Sequence, residues 1–283
     1  MNRNNRKQIG SQTVEIVDRG WYELDSHGRI DIAAPVKNCL SDTRLYTPHE
    51  SDDLLNNEYS RAYETVIEVE NETTLSAATR LIVEQKRPNT LCLNFASAKN
   101  PGGGFLGGSQ AQEESLARSS ALYASLLTQN VYYETNRACR TALYTDLMIL
   151  SPDVPVFRAD EGSLLPDPYL LSILTSPAVN AGAVKKNEQD KEPMIIPTMT
   201  QRIAKVLTIA AEHGYEHLIF GAWGCGVFRN DPGEIAKLFA EALLDGGQFC
   251  NRFASVTFAV LDGTDGERII RPFRQEFVKG ALN

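Results

Sequence analysis

The sequence predicts an α/β fold, a sheet covered on both faces by helices. Two kinds of segment carry that reading. Short apolar runs of strand length, such as "HLIFGAW" (217–223) and "FASVTFAVLD" (253–262), are bounded by turn residues. Between them lie longer segments with apolar residues at i, i+3, i+4 and i+7, the spacing of an amphipathic helix. The two kinds alternate along the second half of the chain, as they do when helices pack on a buried sheet.

Taken in order, residues 1–60 show no clear period. They are expected to form an N-terminal extension packed on the domain built by residues 61–283. "YETVIEVEN" (63–71) alternates as a strand does, 72–87 suits a helix, and "TLCLNFA" (90–96) reads as a buried strand. Residues 109–128 read as one helix with Leu116, Tyr123 and Leu127 on one side. Further strands are expected at 142–152, 154–160 and 169–180. The stretch "AGAVKKNEQDKEP" (181–193) is polar and aperiodic and reads as a surface loop. A helix over 198–214 places Ile203, Val206, Leu207 and Ala210 on one face, with Thr198 and Gln201 as a capping box and Gly214 as the stop. After the strand at 217–223, a helix starts at Asp231, Pro232 and Glu234, carries Ile235, Leu238, Phe239 and Ala242, and stops at Gly246. The strand at 253–262 follows. No internal repeat is found.

Composition narrows the function classes. Apolar residues make up 42% and charged residues 23% of the 283, ordinary values for a soluble globular protein. No run of about 18 or more apolar residues suggests a membrane span. The polar start "MNRNNRKQIGSQ" has no apolar stretch behind it, so neither a signal peptide nor an anchor is expected. Cys39, Cys92, Cys139, Cys225 and Cys250 are widely spaced, with no CxxC. That favours neither zinc ligation nor a disulfide framework and fits a reducing, cytoplasmic setting. His213 and His217 are the only close histidine pair and read as a helix end and a strand start rather than a metal site. The net charge of −8 argues against broad attraction to nucleic acid or to an acidic membrane. No sequence-specific nucleic-acid binding is expected, and an anionic ligand would have to be held by local donors.

Two glycine-rich loops carry the chemistry. In "NFASAKNPGGGFLGGSQAQEE", a strand runs into glycines and a helix then opens with acids. "GGGFLG" (102–107) matches GxGxxG, but no acid lies about 20 residues on and no Lys followed by Ser or Thr follows the glycines. Both common nucleotide-loop readings therefore fail. What remains is physical: glycines let backbone N–H groups approach a ligand, and a helix start adds donors and positive potential. Glycine count alone fits an ordinary turn equally well. Ser109 and Gln112 suit a capping box, which puts Glu113 and Glu114 in the first helical turn. Adjacent helical residues project about 100° apart, so these two acids are not expected to face each other as a hydrolase pair. The second loop is "FGAWGCGVFRNDP" (220–232). Its glycines suit a diphosphate, and Phe228 suits packing against a sugar or base. Cys225 has no neighbouring histidine and reads as a small residue in a tight loop. Because both loops follow strands, they are expected to share one rim.

These residues resemble the poly(ADP-ribose) glycohydrolases. Three glycines, a spacer from Phe105 to Ala111, and Gln112-Glu113-Glu114 look like that family's signature. "FGAWGCGVFRNDP" is similar to the phosphate-contacting loop of its bacterial-type members, and "SPDVPVFR" (151–158) and "TSPAVN" (175–180) extend the likeness. It covers roughly Ala62 to Asp262, and the chain is of the compact bacterial size. The resemblance implies a macrodomain-like, three-layer α/β/α fold with a mixed sheet. It implies hydrolysis of the ribose–ribose O-glycosidic bond, chiefly at chain ends, with ADP-ribose as product. By motif position Glu114 would be the general acid and base, and Glu113 would hold the ribose hydroxyls. Asn100, Gly102, Gly103, Gly104 and Gln112 would shape the ribose side. Gly224, Cys225, Gly226 and Val227 would take the diphosphate, and Phe228 would pack on the ligand. The substrate partners implied are poly(ADP-ribose) and ADP-ribosylated macromolecules; no metal or other cofactor is implied. Two other functions stay open: a module that reads ADP-ribose without cleaving it, and a hydrolase of single ADP-ribose groups on protein or nucleic acid.

Overall fold

The computed structural model describes residues 1–278; the last residues of the expected 61–283 domain, 279–283, lie outside the described residues. In chain order the elements are α1 (Arg3–Arg19), β1 (Trp21–Leu24), β2 (Gly28–Asp31), α2 (Ala33–Asp42), β3 (Arg44–Tyr46), α3 (Pro48–Leu54), β4 (Val66–Glu70) and α4 (Thr74–Ala78). There follow β5 (Thr90–Phe95), α5 (Gln112–Ser119), α6 (Leu122–Leu127), α7 (Asn130–Ala138), β6 (Met148–Arg158) and β7 (Leu164–Ser176). The rest are α8 (Ala181–Asn187), α9 (Ile195–Glu212), β8 (His217–Phe220), α10 (Pro232–Leu243), β9 (Ser255–Ala259) and α11 (Ile270–Phe277). The class is mixed α/β: β3, β6 and β7 are hydrogen-bonded neighbours in that order, as are β5, β8, β9 and β4.

The chain divides into two compact units. The first comprises Met1–Tyr46, Asn94–Ala138 and Leu147–Ser176. Its strands are antiparallel: β3 pairs with β6, and β6 with β7. Helices α2, α5 and α6 pack on β6, and α1 packs on α5 and α6. The hairpin β1–β2 is a separate two-stranded sheet.

The second unit comprises Thr47–Leu93, Cys139–Asp146 and Pro177–Asn283. Its strands are parallel: β5 pairs with β8, β8 with β9, and β9 with β4. β9 is buried at every position, as a strand covered on both faces must be. Phe220, Phe239, Phe258 and Phe273 form its aromatic core, with Phe220 and Phe239 centroids 5.0 Å apart. Among the described residues no helix is long and apolar enough to cross a membrane, and all five cysteines are free thiols.

Several expectations need correction. The strands expected at 142–152 and 154–160 are one strand, β6, with residues 142–147 outside it. The break between the two apolar runs is a bulge between Ser151 and Val154, where Asp153 takes φ 47° and its N–H donates to Ser172 Oγ at 3.1 Å. The helix expected over 109–128 is two helices. Ser120 is extended and bridges to Val156, while Ala121 N–H donates to Pro155 O at 3.1 Å. Sheet pairing thus overrides local helix preference, and Leu127 ends exposed rather than on a shared apolar face. Residues 181–193 are not a loop. Asn180 caps α8, and Glu188 at its end accepts from Thr141 Oγ1 and from Ala142 N–H at 2.8 Å. Only Ala181 and Val184 of α8 are buried, too few to show a period in sequence. Helix α9 begins at Ile195, so Thr198 and Gln201 lie inside it and do not cap it. α7 has no counterpart in the sequence reading, and the aperiodic first 60 residues prove to hold three helices and three strands.

Candidate active site

The first glycine loop lies wholly in the first unit, between β5 and α5. Strand β5 is buried up to Asn94, which is the polar residue inside its apolar run at 91–95. Past it, Ser97 Oγ accepts from Asn100 N–H at 3.1 Å, and Asn100 O accepts from Gly103 N–H at 3.0 Å. Gly102 and Gly103 take φ of 65° and 60°, so the chain reverses here in the left-handed region. Helix α5 then begins at Gln112, with both acids in its first turn. The expected capping box does not form. Ala111 is the N-cap and supplies no side-chain bond, and Gln112 Oε1 instead accepts from Phe95 N–H at 2.9 Å. Gln112 therefore ties the helix start to the strand end.

The two acids differ in environment. Glu113 is 3% exposed. Its Oε2 accepts from Ser97 N–H at 2.7 Å, and its Oε1 from Asn94 Nδ2 at 3.3 Å; Asn94 also reaches Thr175 Oγ1 at 3.1 Å. Burial pushes the Glu113 carboxyl up to about 8, aided by the charge of Glu114 and opposed by the bonds from Ser97, Asn94 and Gly102. At neutral pH it is mainly the uncharged acid. Glu114 is half-buried, and its Oε1 accepts from Gly104 N–H at 3.0 Å. A Cβ placed on Gly103 would lie 2.5 Å from Glu114 Oε1 and 3.2 Å from Glu113 Oε2. Both carboxyl groups therefore converge over one glycine, although their positions on the helix are adjacent. The loop folds up against the side chains; the helix by itself does not bring them together.

The second glycine loop lies wholly in the second unit, after β8. Gly224 takes φ 75°, and a Cβ there would be 2.5 Å from Ala178 Cβ and 2.5 Å from Asn230 Nδ2. Asn230 is buried and donates to Val179 O at 2.8 Å and Gly224 O at 3.1 Å, closing the loop on itself. Cys225 is half-buried, and burial pushes its thiol far above the usual range, which disfavours the thiolate that covalent chemistry needs. Gly226 meets nothing within 4 Å, and Val227 is 83% exposed, so the loop's tip is open. The Phe228 ring lies 5.9 Å from that of Tyr144, and its carbonyl accepts from Gly182 N–H at 2.9 Å. The turn from Phe228 into α10 is capped by Asp231, whose Oδ1 accepts from Gly233 and Glu234 N–H, as the sequence suggests.

The support behind this loop is invisible in sequence. Arg202 is fully buried in α9. It donates to Asp146 Oδ1 at 2.9 Å, to Pro177 O at 2.9 Å and to Leu143 O at 3.1 Å, so it anchors the chain on both sides of Tyr144 and just before Ala178. Lys205, one turn on, pairs with Asp146 Oδ2 at 3.0 Å and Asp52 at 2.9 Å. Sequence reasoning also missed Asn94, Ser97 and Thr175 behind Glu113. Only Asn94 left a signal, a lone polar residue inside the apolar strand "LCLNF".

A family model described as the catalytic domain of microbial-type PARG matches residues 10–159. Among solved structures, poly(ADP-ribose) glycohydrolase (PARG) from Thermomonospora curvata is 46% identical, covering 97% of this chain and 100% of that one, with a TM-score of 0.92. The same protein bound to the inhibitor ADP-HPD gives a TM-score of 0.90. The Deinococcus radiodurans glycohydrolase in complex with ADP-ribose is also 46% identical, covering 88% of this chain and 99% of that one, with a TM-score of 0.82. No curated protein matches.

Proposed function

Because this chain belongs to the microbial-type poly(ADP-ribose) glycohydrolase family, we propose that it hydrolyses the ribose–ribose O-glycosidic bonds of poly(ADP-ribose), with Glu114 as the reacting carboxyl. The observation that carries the assignment of Glu114 is its contact with the glycine loop. Glu114 Oε1 is held at 3.0 Å by Gly104 N–H and sits over the one glycine that leaves it room. A single bond from a backbone donor orients a carboxyl without burying it.

The reaction needs a proton on the leaving ribose oxygen as positive charge develops at the anomeric carbon, and then a base for the attacking water. Glu114 serves both steps in turn: it donates as the acid and accepts as the carboxylate. Glu113 is placed to orient rather than react. Its oxygens are already engaged by Ser97 and Asn94, and burial keeps it uncharged at neutral pH. As the neutral acid it is both a donor and an acceptor for ribose hydroxyls. Glycoside cleavage often uses two reacting carboxyls; with one, substrate placement must supply the rest. That placement is assigned to Asn100, Gly102, Gly103, Gly104 and Gln112 on the ribose side. The diphosphate is assigned to Gly224, Cys225, Gly226 and Val227, with Phe228 packing on the ligand. The open tip at Gly226 and Val227 supports that assignment, and local backbone donors suit a dianion on a protein of net charge −8. Release of ADP-ribose from the ends of poly(ADP-ribose) chains is the expected mode, in a reducing, cytoplasmic setting; hydrolysis of single ADP-ribose groups on protein or nucleic acid is the alternative reading.

The test is Glu114→Gln. Release of ADP-ribose from labelled polymer should be abolished, while ADP-ribose affinity stays within about tenfold, because the amide keeps the carboxyl's shape. Retained hydrolysis removes Glu114 from the chemistry. Running wild type beside it on polymer and on singly modified protein ranks the substrates, and the ratio of monomer to short oligomer separates end release from internal cuts.

A further inference from the structure

We propose that Arg3 and Arg6 of helix α1 are positioning residues that clamp the outer leaf of the catalytic glycine loop, so that Gly104 N–H stays on Glu114. The inference deepens the reading above and rests on Glu114 being the reacting carboxyl.

Helix α1 turns one face to the loop. Arg3, Arg6, Gly10 and Thr13 are spaced three, four and three apart, which places them in one stripe. Arg3 Nε donates to Gly107 O at 3.0 Å, and Arg6 Nε donates to Gly108 O at 2.8 Å. Gly108 takes φ 75°, and a Cβ there would lie 2.3 Å from Arg3 O, so helix and loop touch backbone to backbone. Gly10 is buried within the helix; a Cβ would meet Phe105 O at 3.2 Å and the Phe105 ring at 3.3 Å. Glycine is a poor helix residue, and its use here matches the close approach of Phe105. Thr13 Oγ1 donates to Arg118 O at 2.6 Å, a buried bond. The Arg118 guanidinium in turn holds Ser109 O at 2.7 Å, as well as Gln110 Oε1.

The clamp reaches the acid in two steps. Gly107 N–H and Ser109 N–H both donate to Gly104 O, at 3.0 and 3.1 Å. Fixing residues 107–109 therefore fixes Gly104, whose own N–H donates to Glu114 Oε1. Neither arginine is given a substrate contact: each acts on backbone carbonyls of the loop. Both also precede residue 10, where the match to the family model begins.

The experiment uses the full chain with Arg3→Gln and Arg6→Gln together, and Arg19→Gln as the control. Arg19 lies on the same helix but stacks over Trp21, 4.4 Å from its ring centroid, away from the loop. Two readouts are taken on folded protein at 25 °C: kcat and KM for ADP-ribose release, and hydrogen exchange at the Gly104, Gly107 and Gly108 amides. The double variant should lose about tenfold in kcat, within what a displacement of an ångström or less costs. Its KM should stay within about threefold, as expected for a change in reacting geometry rather than in binding. The three amides should exchange faster, and Arg19→Gln should change neither readout. Millimolar methylguanidinium should restore part of the kcat of Arg6→Ala and none of that of Glu114→Gln. A merely structural role would lower the melting temperature and leave kcat per folded molecule unchanged; that result, or unchanged exchange at the three amides, overturns the proposal. If the wild-type chain releases no ADP-ribose, the functional reading fails instead, and the exchange comparison still decides the clamp.

Discussion

Replacing Gly103 by Ala separates what the glycine loop does for folding from what it does for Glu114. Two costs follow from the structure. The backbone at Gly103 has φ 60°, and an L-residue held there loses about 1–2 kcal/mol. The added methyl would also stand 2.5 Å from Glu114 Oε1 and 2.9 Å from its Cδ, far inside contact distance. The side chain must then leave its bond to Gly104 N–H, or the loop must open. A reacting group displaced by about 1 Å can lose about 100-fold in rate. Gly214→Ala is the matched control, since Gly214 is exposed, has φ 70° and meets nothing within 4 Å. It carries the strain without the clash. Both variants should melt about 2–5 °C lower, but only Gly103→Ala should lose kcat, by about 100-fold. The assay is initial-rate release of ADP-ribose at saturating polymer, normalised to folded protein by circular dichroism. A Gly103→Ala enzyme with kcat within about threefold of wild type would show that the approach of Glu114 to Gly103 is not needed, and would undo the placement argued above.

Three further outcomes are expected. Glu113 has a folded-state value of about 8, above the ordinary carboxylate range, so the native state holds a proton that the unfolded chain releases. Stability from this group is complete at acid pH and falls as pH rises from about 4.5 through about 8; urea midpoints should show Glu113→Gln gaining on wild type between pH 5 and pH 9. Phe228→Ala removes the ring that packs on Tyr144 and on the proposed ligand, and should raise the ADP-ribose Kd by about tenfold in calorimetry while leaving the melting temperature nearly unchanged. Asp146→Asn strips the shared partner from buried Arg202 and Lys205 and should cost about 3 kcal/mol in urea unfolding, since only Asp52 stays paired to Lys205.

The class of fold was legible because burial leaves a period. "HLIF" and "SVTFA" sit in a parallel sheet; residues 218–220 form a short apolar run, and Val256, Phe258 and Ala259 carry β9, which is buried along its whole length as a strand covered on both faces must be. The stripe on α10 and its Asp231-Pro232 start were equally plain, because an N-cap is a local hydrogen bond between near neighbours. Errors fell where a distant partner decides the local conformation. Ser120 pairs with Val156 and breaks a helix that its own neighbours would continue. Glu188 is held by Thr141 and Ala142, which orders a stretch with no period of its own.

The site divides the same way. The spacing of three glycines and Gln112-Glu113-Glu114 marks the loop and both acids, since those types must be near in sequence to share one strand-to-helix turn. The different environments of Glu113 and Glu114 are not in that spacing. They come from Asn94, Ser97 and the fold of Gly103 over both carboxyls. Nor does sequence tell that Arg3 and Arg6 reach carbonyls more than 100 residues away. Types and local spacing determined the kind of chemistry and the residues that carry it. Burial and long-range hydrogen bonds exist only after folding, and they decided which acid is held neutral, which stays half-exposed, and what keeps the loop closed around it.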